Sequence, residues 1–274
     1  MSKQSLLPAL RRARKRSPLR RPVVAWRHRT VGPNDTLLVS FPRSGSTWLR
    51  FMLAAAASIE PVEFDSVDEI VPLVGAAPTR KAAEWGTSGH LIKSHERFSR
   101  LYIPRSQRFI FLIRDGRDVA VSYYYYCLRN GWWVGAFRTF LDAFLGGRLD
   151  GYGPWHRHVE GWLGEAAEGR DHLLVRYEDL HRDAAAELQR CAEFLQMPLT
   201  EERLSQSLAA GSVDRMRESE QRRSTLPSRV IDPSIPVVRS TKSSNWCEEF
   251  SDQDLAKFQR HAARALDLGG YEAA

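Results

Sequence analysis

The chain has 274 residues, of which 43% are hydrophobic and 10% aromatic, an ordinary globular composition that allows one large domain or two small ones around a sizeable core. Its three cysteines, Cys127, Cys191 and Cys247, lie far apart. That spacing argues against a disulfide framework, a CxxC motif or a zinc set, and is read as a reducing, cytosolic compartment. The net charge of +7 is unevenly placed: residues 1–34 hold ten Lys or Arg and no acid, so residues 35–274 carry −3.

The basic arm, residues 1–34, lacks the continuous apolar core of a secretory signal. It is expected to be solvated and disordered, the alternative being a surface-associated arm on anionic lipid or on a polyanionic acceptor. No nucleic acid is expected, because no binding motif or basic-aromatic face follows. Residues 35–270 read as a single domain without internal repeats. In chain order, short apolar strands are predicted at TLLVSF (36–41), HLIK (90–93), RFIFLIR (108–114) and HLLVRY (172–177). Continuous apolar strands suit a parallel sheet covered on both faces. Helices are predicted over 47–58, 116–128, 155–168, 183–195 and 251–266. The first contains FMLAAAASI, about half the length a membrane span needs. The alternation predicts an α/β doubly wound core, a P-loop-like three-layer arrangement with a central, mostly parallel sheet flanked by helices. The Pro- and Ser-rich segment 219–245 has no period and is read as a mobile functional loop.

In such a sheet, ligands bind beyond the carboxyl ends of the strands. The turn PRSGST (42–47) sits there, ahead of a helix N-terminus whose free N–H groups and dipole favour an anion. Gly45 allows close backbone approach, Ser46 and Thr47 add hydroxyls, and Arg43 adds a fixed cationic fork. The competing reading is a plain helix start with Ser46 or Thr47 as N-cap. GxxxxGK[ST] is absent, so no triphosphate loop is written here. Other strand ends bring Lys93, Ser94 and His95, then Arg114 with Ser122 eight residues later, then Tyr177, to the same rim. Taken singly, Arg114 reads as a salt bridge to Asp115 or Asp118, and His95 as structural.

These pieces, in this order, resemble the sulfotransferases that use 3′-phosphoadenosine 5′-phosphosulfate (PAPS), from about Thr36 to Phe250. FPRSGSTW resembles the family's phosphosulfate loop, and FIFLIRDGRDVAVSYYYY its 3′-phosphate element, while KSH and LLVRYEDL fit its remaining landmarks. The resemblance implies that Arg43, Ser44, Gly45, Ser46 and Thr47 hold the 5′-phosphosulfate with Trp48 against the adenine. It implies that Arg114 and Ser122 bind the 3′-phosphate, that Tyr177 contacts the base, that His95 is the general base and that Lys93 is its accessory cation. Two departures stand out. The loop lysine is Arg43, which stabilises charge but cannot donate a proton. The late Arg-Lys-Gly element reads Arg239-Ser240-Thr241-Lys242, leaving Arg239 as the 3′-phosphate ligand. In GSVDRMRESE (211–220) only Ser212 and Met216 match the family's stretch near the adenine.

The implied reaction moves a sulfuryl group from PAPS to an acceptor hydroxyl or amine, releasing adenosine 3′,5′-bisphosphate (PAP). It is a loose in-line displacement in which the protein positions reactants and stabilises charge. No metal is expected. The rivals are a small-molecule kinase with an aberrant phosphate loop, which would need a triphosphate and magnesium, and a PAP-binding protein impaired at 239–242. Acceptor-side candidates are Trp132, Trp133, Trp155 and the 219–238 loop, with core packing the favoured competing reading for each tryptophan. The basic arm favours a glycan or lipid-linked acceptor, with the protein cytoplasmic and peripheral at a membrane.

Overall fold

The structure, a computed structural model, describes residues 20–58, 61–76, 84–85, 89–222, 232, 234–235 and 245–272. Helix α1 (Arg20–His28) leads to strand β1 (Thr36–Ser40), whose five residues are all buried. The turn after β1 opens helix α2 (Ser46–Ala57), followed by the short helix α3 (Val67–Ile70). Strands β2 (Glu84–Trp85), β3 (Gly89–Ser94) and β4 (Arg108–Ile113) come next, and β4 feeds helix α4 (Gly116–Arg129). Helices α5 (Phe137–Leu145) and α6 (Trp155–Val159) follow, the latter continuing as a wider π-turn over Glu160–Ala166. Strand β5 (His172–Arg176) runs directly into α7 (Tyr177–Arg182) and α8 (Ala184–Phe194). Helices α9 (Glu201–Ala210), α10 (Val213–Arg222) and α11 (Asp252–Leu268) complete the order.

The sheet order is β2-β3-β1-β4-β5, parallel throughout except for β2, which pairs antiparallel with β3. Period-two alternation divides the apolar runs between two cores. Leu37, Val39, Phe109, Phe111 and Ile113 face a layer that includes Phe140, Phe144, Trp162 and Phe258. Leu38, Leu91, Ile110, Leu112 and Val175 face Leu49, Phe51, Leu53, Leu188 and Cys191. The three-layer α/β architecture is therefore as predicted. Among the described residues no helix is long and apolar enough to cross a membrane.

Several boundaries differ from the sequence reading. Strand β1 stops at Ser40 and β4 at Ile113, so Phe41 and Arg114 already lie in the turns, and Tyr177 starts a helix rather than ending a strand. Helices α1, α3, α5, α7, α9 and α10 were not predicted. Residues 219–222 belong to α10 rather than to a loop, because Ser219 is buried and its Oγ accepts from the Phe64 N–H at 2.9 Å. Most of the remaining loop, including Arg239 and Lys242, lies outside the described residues, as do residues 1–19 of the arm. From Arg20 on the arm is not solvated chain. Val24 and His28 are buried, His28 Nδ1 is 2.8 Å from the Val24 carbonyl oxygen, and the His28 ring lies 4.5 Å from that of Tyr102.

Candidate active site

The parallel register of β1 with β3 and β4 brings the ends of these strands side by side: Val39 pairs with Ser94 and Ser40 with Leu112. The turns that follow therefore gather at one edge. In the first of them Arg43 and Gly45 both adopt positive φ, 74° and 94°. For Arg43 this costs about 1–3 kcal/mol, strain of a kind that clusters at ligand sites. Gly45 is required twice over, since a Cβ there would sit 2.5 Å from Cδ2 of Tyr177. Gly45 is also the N-cap of α2, and no side chain caps that helix. The plain N-cap reading of Ser46 and Thr47 is thus not what the fold adopts. The first-turn N–H groups keep their affinity for an anion.

Arg114, the first residue beyond β4, is buried, with its guanidinium 4.2 Å from the centre of the Tyr177 ring. The expected carboxylate partner is a loose one, Asp118 at 3.8 Å, because Asp115 is taken by Arg117 at 2.6 Å and caps α4 through the Arg117 N–H. Asp118 also accepts from the Trp246 N–H at 3.1 Å, which ties the 3₁₀ turn Asn245–Glu248 to α4. Arg114 Nε and Ser44 Oγ are both buried without a protein partner. Unpaired buried donors are costly, so a cradle holding two of them beside an uncapped helix start fits a multiply charged anionic nucleotide.

Ser122 lies on α4, and its Oγ accepts from Arg43 Nε at 3.2 Å. Tyr126, one turn further along the same face, stacks under the Arg43 guanidinium at 4.7 Å. The side chain of Arg43 therefore spans the gap between the two expected phosphate elements. Burial, opposed by Tyr126 and reinforced by Arg114, lowers its pKa from the ordinary value. Trp48 packs edge-on against Tyr177 at 5.7 Å, forming an aromatic wall beside Gly45. Ser212 and Met216 belong to the neighbouring α9–α10 region: Ser212 Oγ accepts from the Arg215 N–H, and Met216 is buried in the core that Trp48 flanks.

Lys93 and His95 complete the edge. Lys93 is buried near the end of β3, and desolvation followed by the Arg50 guanidinium pushes its pKa down to about 7. His95 Nδ1 lies 2.7 Å from the carbonyl oxygen of Ser40. A carbonyl only accepts, so the ring proton sits on Nδ1 and Nε2 carries the lone pair. Burial, and next the charge of Lys93, hold the His95 pKa well below 6.5, so the imidazole is neutral near pH 7. Beside it stands the Tyr152 ring at 5.7 Å, and the next residue, Glu96, pairs with Arg20 of α1 at 2.5 Å.

The structure thus brings together Arg43, Ser44, Gly45, Ser46, Thr47, Trp48, Lys93, His95, Arg114, Ser122 and Tyr177. Trp155, an acceptor-side candidate, is a core residue, the competing reading. It is 1% exposed, lies against Gly116 and faces Phe258 at 6.1 Å. Trp132 and Trp133 are half-buried against Tyr126 and Phe140. Tyr126 was missed by sequence reasoning, although its position four residues after Ser122 in the tyrosine run was a readable signal. The Arg20–Glu96–Tyr152 group was missed because it depends on α1.

With this geometry in view, comparison with known proteins is direct. Residues 33–270 match the family description "Sulfotransferase domain". Sulfotransferase 1 family member D1 of Rattus norvegicus is 27% identical over 250 residues, covering 86% of this chain and 84% of that protein. Human sulfotransferase 1E1 is 25% identical over 244 residues, covering 84% and 82%. Among solved structures, mouse sulfotransferase SULT7A1 complexed with PAP superimposes with a TM-score of 0.65 at 20% identity, covering 87% of each chain. Retinol dehydratase in complex with retinol and PAP gives 0.62 at 17%, covering 85% of this chain and 81% of that one, a likeness of fold. The fold and the site define a nucleotide-dependent group-transfer enzyme. The chain belongs to the sulfotransferase family, the enzymes that move a sulfuryl group from PAPS to an acceptor.

Proposed function

We propose that the carboxyl edge of β1, β3 and β4 binds PAPS and that His95 activates the acceptor. The observation that carries this reading is the contact of His95 Nδ1 with the Ser40 carbonyl oxygen at 2.7 Å, which leaves Nε2 as the ring's proton acceptor in a site it shares with Lys93 and Arg43. Ser44, Gly45 and the N–H groups of Ser46 and Thr47 hold the 5′ end of the nucleotide. Arg114 and Ser122 take the 3′-phosphate, with Arg239 as a further ligand, and Trp48 and Tyr177 line the base. PAPS supplies the sulfuryl group, its sulfur–oxygen bond to the 5′-phosphate breaking as the acceptor oxygen–sulfur bond forms. His95 Nε2 takes the acceptor proton. Lys93, Arg43 and the start of α2 stabilise the negative charge that collects on the departing phosphate oxygen. Arg43 does this as a permanent cation.

The acceptor is a hydroxylated molecule, and the basic arm favours one that is a glycan or lipid-linked. The protein is read as cytoplasmic, in peripheral contact with a membrane through residues 1–34. Calorimetry with PAP tests the nucleotide site, and absence of binding overturns the proposal. Incubation with PAPS and an extract of the source cell, followed by mass spectrometry for sulfated products, tests the transfer. Product formation that needs magnesium and a nucleoside triphosphate in place of PAPS would favour a kinase.

A further inference from the structure

Five large hydrophobic side chains are exposed among the described residues: Val23, Trp26, Leu73, Leu101 and Val134. Two of them, Val23 and Trp26, are on α1, and Leu73 and Leu101 each lie within two residues of a residue that contacts it. Val23, 49% exposed, and Trp26, 65% exposed, lie on its outward face with the exposed Pro22. Leu73 precedes Gly75, whose backbone packs on the aliphatic stem of Arg27. Leu101, 81% exposed, adjoins Tyr102, whose ring meets that of His28. At 100° per residue the order around α1 is Pro22, Trp26, Val23, Arg27, an apolar stripe bordered by Arg27 on one side, with Arg29 in the turn that follows the helix. The inward face is already committed through Val24, His28 and the Arg20–Glu96 pair. The helix thus has a docked inner face and an exposed aromatic outer one with arginines beside it, the composition of an interaction surface.

We infer that the Pro22–Val23–Trp26 stripe is a docking face for an anionic lipid bilayer. The inference rests on the peripheral reading of the arm given above, and adds to its charge a specific apolar surface. Charge complementarity selects the occupant: ten Lys or Arg and no acid in residues 1–34 suit an anionic interface and oppose an ordinary basic protein partner. Trp and Val enter the interface while the flanking arginines keep their heads at the phosphate level. Through Arg20, α1 is tied to Glu96, the residue after His95, so the docking helix is anchored on the strand end that carries the proposed base.

Sedimentation of the full chain with vesicles tests this. Binding is expected to vesicles of phosphatidylcholine mixed with phosphatidylglycerol, to be negligible on phosphatidylcholine alone, and to weaken as salt rises. The double variant Val23→Ser/Trp26→Ser should bind the anionic vesicles about tenfold or more weakly, the scale of losing a large buried apolar side chain. Equal binding of the variant and the parent would overturn the inference, leaving charge alone. So would absence of parent binding, or concentration-dependent dimers that the double variant abolishes without lipid. Calorimetry with PAP on the same samples keeps the two readings apart. Intact PAP binding without vesicle binding removes only the docking face, whereas vesicle binding without PAP binding removes only the nucleotide site.

Discussion

The Nδ1 proton of His95 is held by the main-chain carbonyl of Ser40 at 2.7 Å, a contact that joins the residue after β3 to the last residue of β1. Because the acceptor is backbone, no side-chain change nearby releases it, and the tautomer with Nε2 unprotonated is built into the strand pairing. His95→Ala should therefore lower kcat by roughly 10²-fold or more while PAP affinity stays near that of the parent. Single-turnover assays beside calorimetry separate the two. Near-normal turnover would move the base role to Glu96 or to solvent.

Arg114 offers a buried guanidinium whose Nε has no protein partner and whose nearest carboxylate oxygen is 3.8 Å away. Loss of a charge-assisted contact of this kind is worth about 1.5–3 kcal/mol. Arg114→Ala should then weaken PAP about ten- to a hundredfold and leave adenosine 5′-phosphosulfate nearly unaffected. Competition titrations with both nucleotides decide it; unchanged discrimination would reject the assignment of the 3′-phosphate to this side chain.

Gly45 and Gly169 provide an internal comparison. Both have positive φ, but a Cβ on Gly45 would strike the Tyr177 ring, whereas one on Gly169 meets nothing within 4 Å. Gly169→Ala should cost only the backbone term, about 1–2 kcal/mol. Gly45→Ala carries that term plus the displacement of Tyr177, so denaturant titration should find it the less stable of the two. It should also lose PAP binding, which Gly169→Ala keeps.

Lys93, with its pKa pushed down to about 7, makes nucleotide binding depend on pH. The protonated amine, the form that attracts an anion, is present below about pH 7 in the free protein and is lost above it. PAP binding accordingly takes up a proton near neutrality, and its affinity should fall with rising pH by up to about tenfold per unit. His95, already neutral there, contributes no change in the same window. Calorimetry in buffers of different ionisation heat reads the proton uptake directly. Lys93→Met should flatten the dependence, and a parent profile flat between pH 6 and 9 would count against Lys93 as a nucleotide contact.

The sequence was enough for the parallel sheet, because TLLVS, RFIFLI and HLLVR are near-continuous apolar runs that only a sheet covered on both faces can bury. It was also enough for the rim residues, because turns at strand ends fall on one side of such a sheet whatever the loop lengths. It did not disclose α9 or α10, whose apolar positions are sparse among polar ones, whereas α5 was legible and passed over: Phe137, Phe140, Leu141, Phe144 and Leu145 recur at helical spacing. Nor did it choose between core and acceptor side for Trp155 at the start of its predicted helix, a choice made by the space that Gly116 leaves for the ring.

By itself, then, the sequence determined which chemical groups are available: a basic hydroxyl-rich turn, an arginine and serine eight residues apart, a Lys-Ser-His strand end and a cationic arm. Tertiary structure alone decided their electrical state and their partners. The proton position on His95, the low pKa of Lys93, the reach of Arg43 to Ser122 and the two faces of α1 all arise from burial and from contacts 55 to 79 residues apart in the chain. Local pattern carries no record of such distances, because desolvation and hydrogen bonding depend on which surfaces close over a group, and that is settled only when the layers pack.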